Sequence, residues 1–259
     1  MKYLVTRVLA ILWIATLSIP AAWASKTEDS SDKGWSFSVS PYVWATGLKG
    51  TVATLPPLPS VDAKASFGDI IKHVDLGVIG VAELRKGRLG IISDIVWIKI
   101  SMDSSDPPPS SPFTRTSDLD TQTFMGTLAG AYRLVEKQQS WIDLVLGVRG
   151  WHVNTDFGVG PGVLASGSKI DHKEGWVDVI GGLRTRFDLG KGFYATAMTL
   201  AGGGSSESVV DVIGNIGYAF TNKISAVAGY RYVKVNYQKS GFEWDVEYKG
   251  PILGGTYKF

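Results

Sequence analysis

The chain has no cysteine among its 259 residues, so no disulfide braces it and no thiolate holds a metal. Histidine is almost as scarce: His73, His152 and His172 are scattered, without H-E-x-x-H spacing, and give no zinc site. There is no calcium loop, and Gly158–Gly162 and Gly202–Gly204 lack the strand-to-helix setting of a nucleotide site. No cofactor is expected. A lipid hydrolase or acyltransferase would need a serine nucleophile beside one of the three histidines. No serine is singled out, so the chain is not expected to be an enzyme.

A hydrophobic run long enough for a helical span is missing as well, because hydrocarbon takes about 20 apolar residues. The apolar stretch Val8–Ile19 is too short, follows Lys2 and Arg7, and leads into Ala22-Trp23-Ala24 before Ser25. That is the pattern of a secretory signal peptide cut after Ala24. Residues 1–24 are expected to be removed, leaving 25–259 as one domain. An excess of positive charge is also missing, since the 26 basic and 24 acidic residues balance once Lys2 and Arg7 are gone. No basic face interleaved with aromatics remains to bind nucleic acid.

What the sequence does have is glycine, aromatics and alternation: 31 Gly, 9 Trp, 10 Tyr and 10 Phe. Ile142, Leu144, Leu146 and Val148 alternate with Asp143, Gly147 and Arg149. The same period of two returns at Val177, Val179, Leu183 and Phe187 against Asp178, Arg184 and Arg186. It recurs at Val210, Val212, Ile216, Tyr218 and Phe220 against Asp211 and Asn215. A period of two marks a strand with one apolar face. The pattern predicts strands at 35–52, 74–86, 88–102, 117–135, 140–156, 172–188, 192–202, 208–220, 223–238 and 243–259.

Tight links at Gly87, 136–139, 190–191 and 221–222 alternate with mostly longer ones at 53–73, 103–116 and 157–171. Short turns on one side and long loops on the other are the topology of outer-membrane barrels. The expected fold is therefore all-β, a closed antiparallel up-and-down transmembrane barrel of about ten strands, with eight or twelve as neighbouring counts. An extra pair within 48–66 would give twelve, and 67–73 reads as one turn of amphipathic helix. The loop 103–116, with Pro107–Pro109 and Pro112, should project outward.

Leu253, Tyr257 and Phe259 alternate through the last segment and resemble the β-signal of outer-membrane barrels. Other segments are similar to a family of uncharacterised proteobacterial outer-membrane barrel proteins. They are Pro41-Tyr-Val-Trp44, Gly47–Val52, Phe67–Ile71, Glu83–Gly90 with Asp94, Gly229–Tyr232 and Gly250–Gly254. Ile70–His73 departs from the more acidic stretch expected there. The resemblance implies the barrel fold and the cell outer membrane, with no activity attached. It also implies outer-membrane lipid and lipopolysaccharide as surroundings, and the barrel-assembly machinery and periplasmic chaperones as partners during biogenesis.

If the apolar phase faces lipid, the other phase sends Glu83, Arg85, Asp94, Arg133, Asp143, Arg149, Asp178, Arg184, Arg186, Asp211 and Arg231 into the lumen. A barrel of about ten strands is narrow, so these charges should meet and pair as a plug. The other readings are an ion-selective constriction, a lipid-modifying enzyme and a soluble lipocalin-like barrel. Trp97, Tyr132, Trp141, Trp176, Tyr218, Trp244 and Tyr257 fall near strand ends and read as interfacial girdles. Phe242, Trp244, Val246 and Tyr248 are out of phase with Leu253, Tyr257 and Phe259. Either a bulge at Gly250-Pro251 restores the phase, or 242–248 belongs to an extracellular extension.

Overall fold

The computed structural model describes residues 34–54, 60–104, 117–159 and 168–259. The expected cleavage site at Ala22 and Ala24, and most of the proline-rich loop, lie outside them. The described chain forms strands β1 (Ser36–Trp44), β2 (Gly47–Ala53) and β3 (Val61–Ala65), then the short helix α1 (Phe67–Ile71). There follow β4 (Val74–Lys86), β5 (Leu89–Ser104), β6 (Ser117–Lys137), β7 (Ser140–Val159) and β8 (Ser168–Gly190). The last four are β9 (Phe193–Gly204), β10 (Ser208–Ala219), β11 (Ile224–Lys239) and β12 (Phe242–Lys258). Neighbours from β4 to β12 pair antiparallel in chain order, and β1 pairs with both β4 and β12. The result is a closed barrel of ten strands, β1 and β4–β12, with a β2–β3 hairpin added to one wall.

Period two decides which way each wall faces. On β7, Leu144, Leu146 and Val148 point outward, Leu146 being 65% exposed, while Asp143, Val145 and Arg149 are buried inside. β6, β7 and β8 run 21, 20 and 23 residues, about twice what a tilted strand needs to cross hydrocarbon. The outer surface records that excess. Above the apolar outward residues of β7 come His152, Asn154 and Asp156; above Tyr230 and Tyr232 of β11 come Lys234, Asn236 and Gln238. An apolar belt thus girds the half of the barrel with tight turns, and a polar-skinned extension rises from the other half.

The tight turns are built for hairpins. Gly87, Gln138 and Lys191 take φ of 55°, 54° and 54°, the left-handed backbone of two-residue connections.

Three sequence expectations need correction. Residues 35–52 are not one strand, since pairing lapses at Ala45 and Thr46 between β1 and β2, opposite Gly250-Pro251. In an antiparallel pair a residue's N–H and C=O face the same neighbour. The Pro251 carbonyl accepts from Ala45 N at 2.9 Å, so its nitrogen, which carries no hydrogen, faces Ala45 too and cannot complete the ladder. The register on either side is unchanged.

Second, 53–73 is not simply a loop: β3 and α1 take five residues of it each. A capping box starts α1, with Asp69 N donating to Ser66 Oγ at 3.3 Å and Ser66 N to Asp69 Oδ2 at 3.0 Å. The extra pair β2–β3 exists but lengthens a wall instead of raising the closed count to twelve.

Third, β12 has no bulge. Its even residues Phe242, Trp244, Val246 and Ile252 all face inward, and its pairing with β11 runs unbroken. Residues 242–248 belong to the extension, where the inside is apolar.

Candidate functional site in the barrel lumen

The lumen is filled by side chains in tiers. The lower tier, nearest the tight turns, centres on Asp143, which strand register places directly opposite Arg133 on β6 and Arg184 on β8. Asp143 accepts from Arg133 Nε at 2.6 Å, from Arg184 Nη2 at 3.0 Å and from Arg85 Nη2 at 2.6 Å. Arg85 comes from β4, on a non-adjacent wall. Glu83 accepts both terminal nitrogens of Arg184 at 2.9 Å, the fork-on-fork geometry that guanidinium favours, and Arg85 Nε at 2.8 Å. Arg133 also reaches Glu136 at 3.5 Å. Three arginines thus meet three carboxylates. Trp141 closes the tier beneath, with the Arg133 and Arg184 guanidinium carbons 4.5 and 4.7 Å from its ring centre.

At the centre of the middle tier Arg149, Arg231 and Asp211 are fully buried. Asp211 accepts from Arg149 Nη2 at 2.6 Å and from Arg231 Nε and Nη2 at 3.2 and 2.7 Å. Arg231 reaches across the bore to Asp94 on β5 at 2.6 Å. Its other terminal nitrogen donates to the Tyr42 hydroxyl, which in turn donates to Asp94 at 3.1 Å. Arg149 Nε donates to Thr127 Oγ1 at 2.9 Å, and Trp44 lies 5.1 Å from the Arg231 guanidinium. Here two arginines face two aspartates.

Above the charges stands an aromatic tier inside the extension. Trp151 and Trp176 are cross-strand partners with ring centres 5.8 Å apart. Trp176 stacks on Tyr237 of β11 at 4.1 Å and 2°, over the β9–β10 connection that lies between their strands. Phe242 and Trp244 pack against this stack, amid Val153, Val209, Val233, Val235 and Val246. The Tyr237 hydroxyl donates to Glu174 at 2.6 Å, and Lys239 Nζ lies 3.2 Å from the same oxygen. Partial burial works against the Glu174 carboxylate, yet the bonds from Tyr237 and Lys239 hold its carboxyl below the usual range. The Tyr237 phenol is pushed up, by burial first and by Glu174 next.

No family model matches the chain, and no curated protein does. Solved structures do. The outer membrane protease OmpT from Escherichia coli matches with a TM-score of 0.51 at 12% identity, over 91% of this chain and 99% of that one. The translocator domain of the autotransporter NalP from Neisseria meningitidis matches at 0.44 and 12%, over 98% and 97%. Ail, the attachment invasion locus protein of Yersinia pestis, in complex with a heparin analogue, matches at 0.42 and 13%, over 88% and 99%. At these identities the likeness is one of fold. The closed barrel and its apolar outer belt, in a fold shared with OmpT, place the chain in the outer membrane.

The chain is an outer-membrane β-barrel. All eleven residues expected in this barrel's lumen do face inward, and nine join the two ion-paired tiers. Two behave otherwise. Asp178 accepts from Ser206 N at 2.7 Å and Ser206 Oγ at 2.8 Å, tying the β9–β10 connection into the mouth. Arg186 stacks 3.6 Å over the Tyr194 ring. Leu253, Tyr257 and Phe259 point outward; Phe259 N donates to Phe37 O at 2.9 Å, and the two rings stack at the seam between β1 and β12.

The girdle expectation is corrected in part. Tyr132, Tyr218 and Tyr257 lie on the outer surface, and Trp97 has outward parity; Trp176 and Trp244 are buried in the aromatic tier, and Trp141 faces the lower tier. Parity held the signal: Trp176 shares its phase with Asp178, and Trp141 with Asp143. Tyr42, Trp44, Thr127, Ser206 and Tyr194 were missed. Tyr42 and Trp44 shared an inward phase that could have been counted. Ser206 had no such mark, because connections have no period.

Proposed function

We propose that this protein works from its outer wall and surface loops, with a lumen sealed against transport, in the outer membrane of a Gram-negative bacterium. The observation that supports this most is that side chains from strands that are not neighbours in the sheet bond directly inside the bore at each tier. Arg85 reaches Asp143, Arg231 reaches Asp94, and Trp176 stacks on Tyr237. Both ion-paired tiers balance in charge, so neither offers the single-sign ring that selects ions in a pore.

The reading assigns no catalytic role. His73 Nδ1 sits 2.8 Å from the Asp69 carbonyl, His172 stacks on Phe242, and His152 lies on the outer face of β7. Its partners on this reading are the surrounding lipid, with assembly machinery and periplasmic chaperones during biogenesis.

Planar-bilayer recording of the purified barrel tests the sealed lumen: insertion is expected to give no sustained conductance steps. Stable, ion-selective steps from the folded protein would instead make it a narrow pore.

A further inference from the structure

Two strands of the wall stop short while the strand beside them goes on. β9 ends at Gly204, opposite Asp178 of β8, and β10 begins at Ser208, opposite Asn236 of β11. Above that point β8 still runs from Val177 back to Ser168, paired with β7 throughout. On its other side it meets no strand among the described residues.

One hydrogen bond fixes where the backbone groups of this stretch point. Ser205 N donates to the Val177 carbonyl at 3.3 Å, on the side where β9 has stopped. In an antiparallel sheet a residue's N–H and C=O face the same neighbour, and the side alternates along the strand. Gly175, Lys173 and Asp171 therefore turn their N–H and C=O groups to the open side, while Trp176, Glu174 and His172 turn theirs to β7. The stretch lies above the belt, beside His152, Asn154 and Asp156 of β7, where the outer face is polar. An unpaired edge of this kind is a template for one more strand.

The outward face of the edge tells which strand fits. Gly175, Lys173 and Asp171 are all exposed on it. Asp171 has a like charge, Asp156, directly opposite on β7, so a basic residue on its free side is favoured. Lys173 lies opposite the uncharged Asn154, with Asp171 about 7 Å along its own strand. The patch thus holds two acids and one base, and the basic residue beside Asp171 is its stronger demand. An acid beside Lys173 completes the match, because an edge lysine repels a strand that does not answer its charge. Gly175 leaves a bare patch that a ring on the neighbouring strand covers.

We propose that the free edge of β8 at Asp171–Gly175 takes an extended segment of a partner protein as an added antiparallel strand, with an aromatic, an acidic and a basic residue at alternate, outward positions. The proposal extends the reading of a working outer surface and holds whether or not the lumen conducts.

The test is fluorescence anisotropy of a labelled peptide with the core Tyr-Val-Glu-Val-Lys, titrated with the detergent-purified full chain. Saturable binding is expected. Exchanging the Glu and Lys of the peptide makes two cross-strand pairs unfavourable and should weaken binding about tenfold. N-methylation at the Glu, whose amide faces β8, should weaken it about fivefold or more; at either Val, whose amide faces away, binding should stay nearly unchanged. In the protein, Lys173→Pro removes an edge N–H that the β7 ladder does not use, so the barrel should fold and lose the peptide. Asp171→Lys/Lys173→Asp leaves the backbone alone and serves if the proline variant does not fold; it should reverse the preference between the two peptides. The proposal is overturned if binding never saturates, if both peptides bind alike, if the position of the methyl group makes no difference, or if the exchanged variant keeps the wild-type preference. Conductance enters none of these measurements, so their failure is distinct from failure of the sealed lumen.

Discussion

The lower and upper halves of the lumen solve the same packing problem with opposite chemistry. In the membrane-embedded half, where the outer face is apolar, the bore holds two arginine–carboxylate tiers with Val145, Ile180 and Leu200 among the apolar side chains packed between them; in the extension, where the outer face is polar, it is filled by stacked rings and valines. The embedded half turns its charges inward and apolar residues outward, and the extension keeps its rings inside and polar residues outside. Hydrophobic burial drives the extension, because its rings leave water. It cannot drive the embedded half to the same extent, since lipid is as apolar as leucine. There, directional bonds across the bore take over the task of holding opposite walls at fixed distance.

If that contrast is right, the largest single loss should come from the embedded half. Asp143→Ala removes the carboxylate that Arg85, Arg133 and Arg184 share, leaving charge without its acceptor. Breaking such a buried set costs about 3 to 5 kcal/mol, because the three guanidiniums are left to share Glu83 and Glu136 and one positive charge goes uncompensated. Denaturant titration of the folded barrel measures the loss. Conductance should stay low, because the middle and aromatic tiers still block the bore. Unchanged stability would mean that water already screens these charges.

Trp176→Ala is the matching change above. It deletes a ring that touches Trp151, Tyr237 and Phe242, and should cost about 3 to 5 kcal/mol, nearer 3 if the cylinder collapses into the space. The contrast sharpens with salt. Buried rings carry no charge to screen, so the deficit of Trp176→Ala should not respond to ionic strength. A cost well below 1 kcal/mol would mean that the stacked rings contribute little to closing the extension.

Leu146→Arg tests the frame in which both halves sit. Leu146 lies in the middle of the outward apolar run of β7, and arginine near the midplane costs about 2 to 4 kcal/mol. The same residue above the belt, as in Asn154→Arg, should be close to neutral. Equal insertion by both variants, read by heat-modifiable gel mobility, would move the belt off this half of the barrel.

Much of this architecture was legible from alternation, because a period of two assigns each residue to a face without any knowledge of its neighbours. That is why the inward phase of all eleven charged residues was readable, Asp143 and Arg231 among them. What a period cannot supply is which wall lies opposite. Arg231 and Asp94 are separated by 137 residues, and only the closed barrel brings them to 2.6 Å. The aromatics failed for a different reason. Trp176 and Trp244 were assigned by their place near strand ends although their parity already pointed inward, and the strands run on past those ends into the extension. The break between β1 and β2 was visible only from the far side, through a proline on β12.

The smallest expected effect is also the most specific to the extension. Glu174 lies above the belt, and hydrogen bonds from Tyr237 and Lys239 lower its carboxyl in the folded state. A carboxyl with a depressed folded pKa adds stability above its unfolded value, near about 4.3, and that contribution disappears as pH falls through the folded value. Tyr237→Phe keeps the ring stacked on Trp176 but removes the hydroxyl, so about 1 kcal/mol should be lost at neutral pH. In acid the gap between variant and wild type should narrow, because the protonated carboxyl no longer gains from a charged acceptor's bond. Asp143→Ala lies in the other half and should leave this acid response in place. Paired unfolding titrations at neutral pH and at about pH 3, below the ordinary glutamate pKa, read the difference. A gap that stays constant between the two would show that the hydroxyl stabilises the extension through packing alone and not through the Glu174 charge.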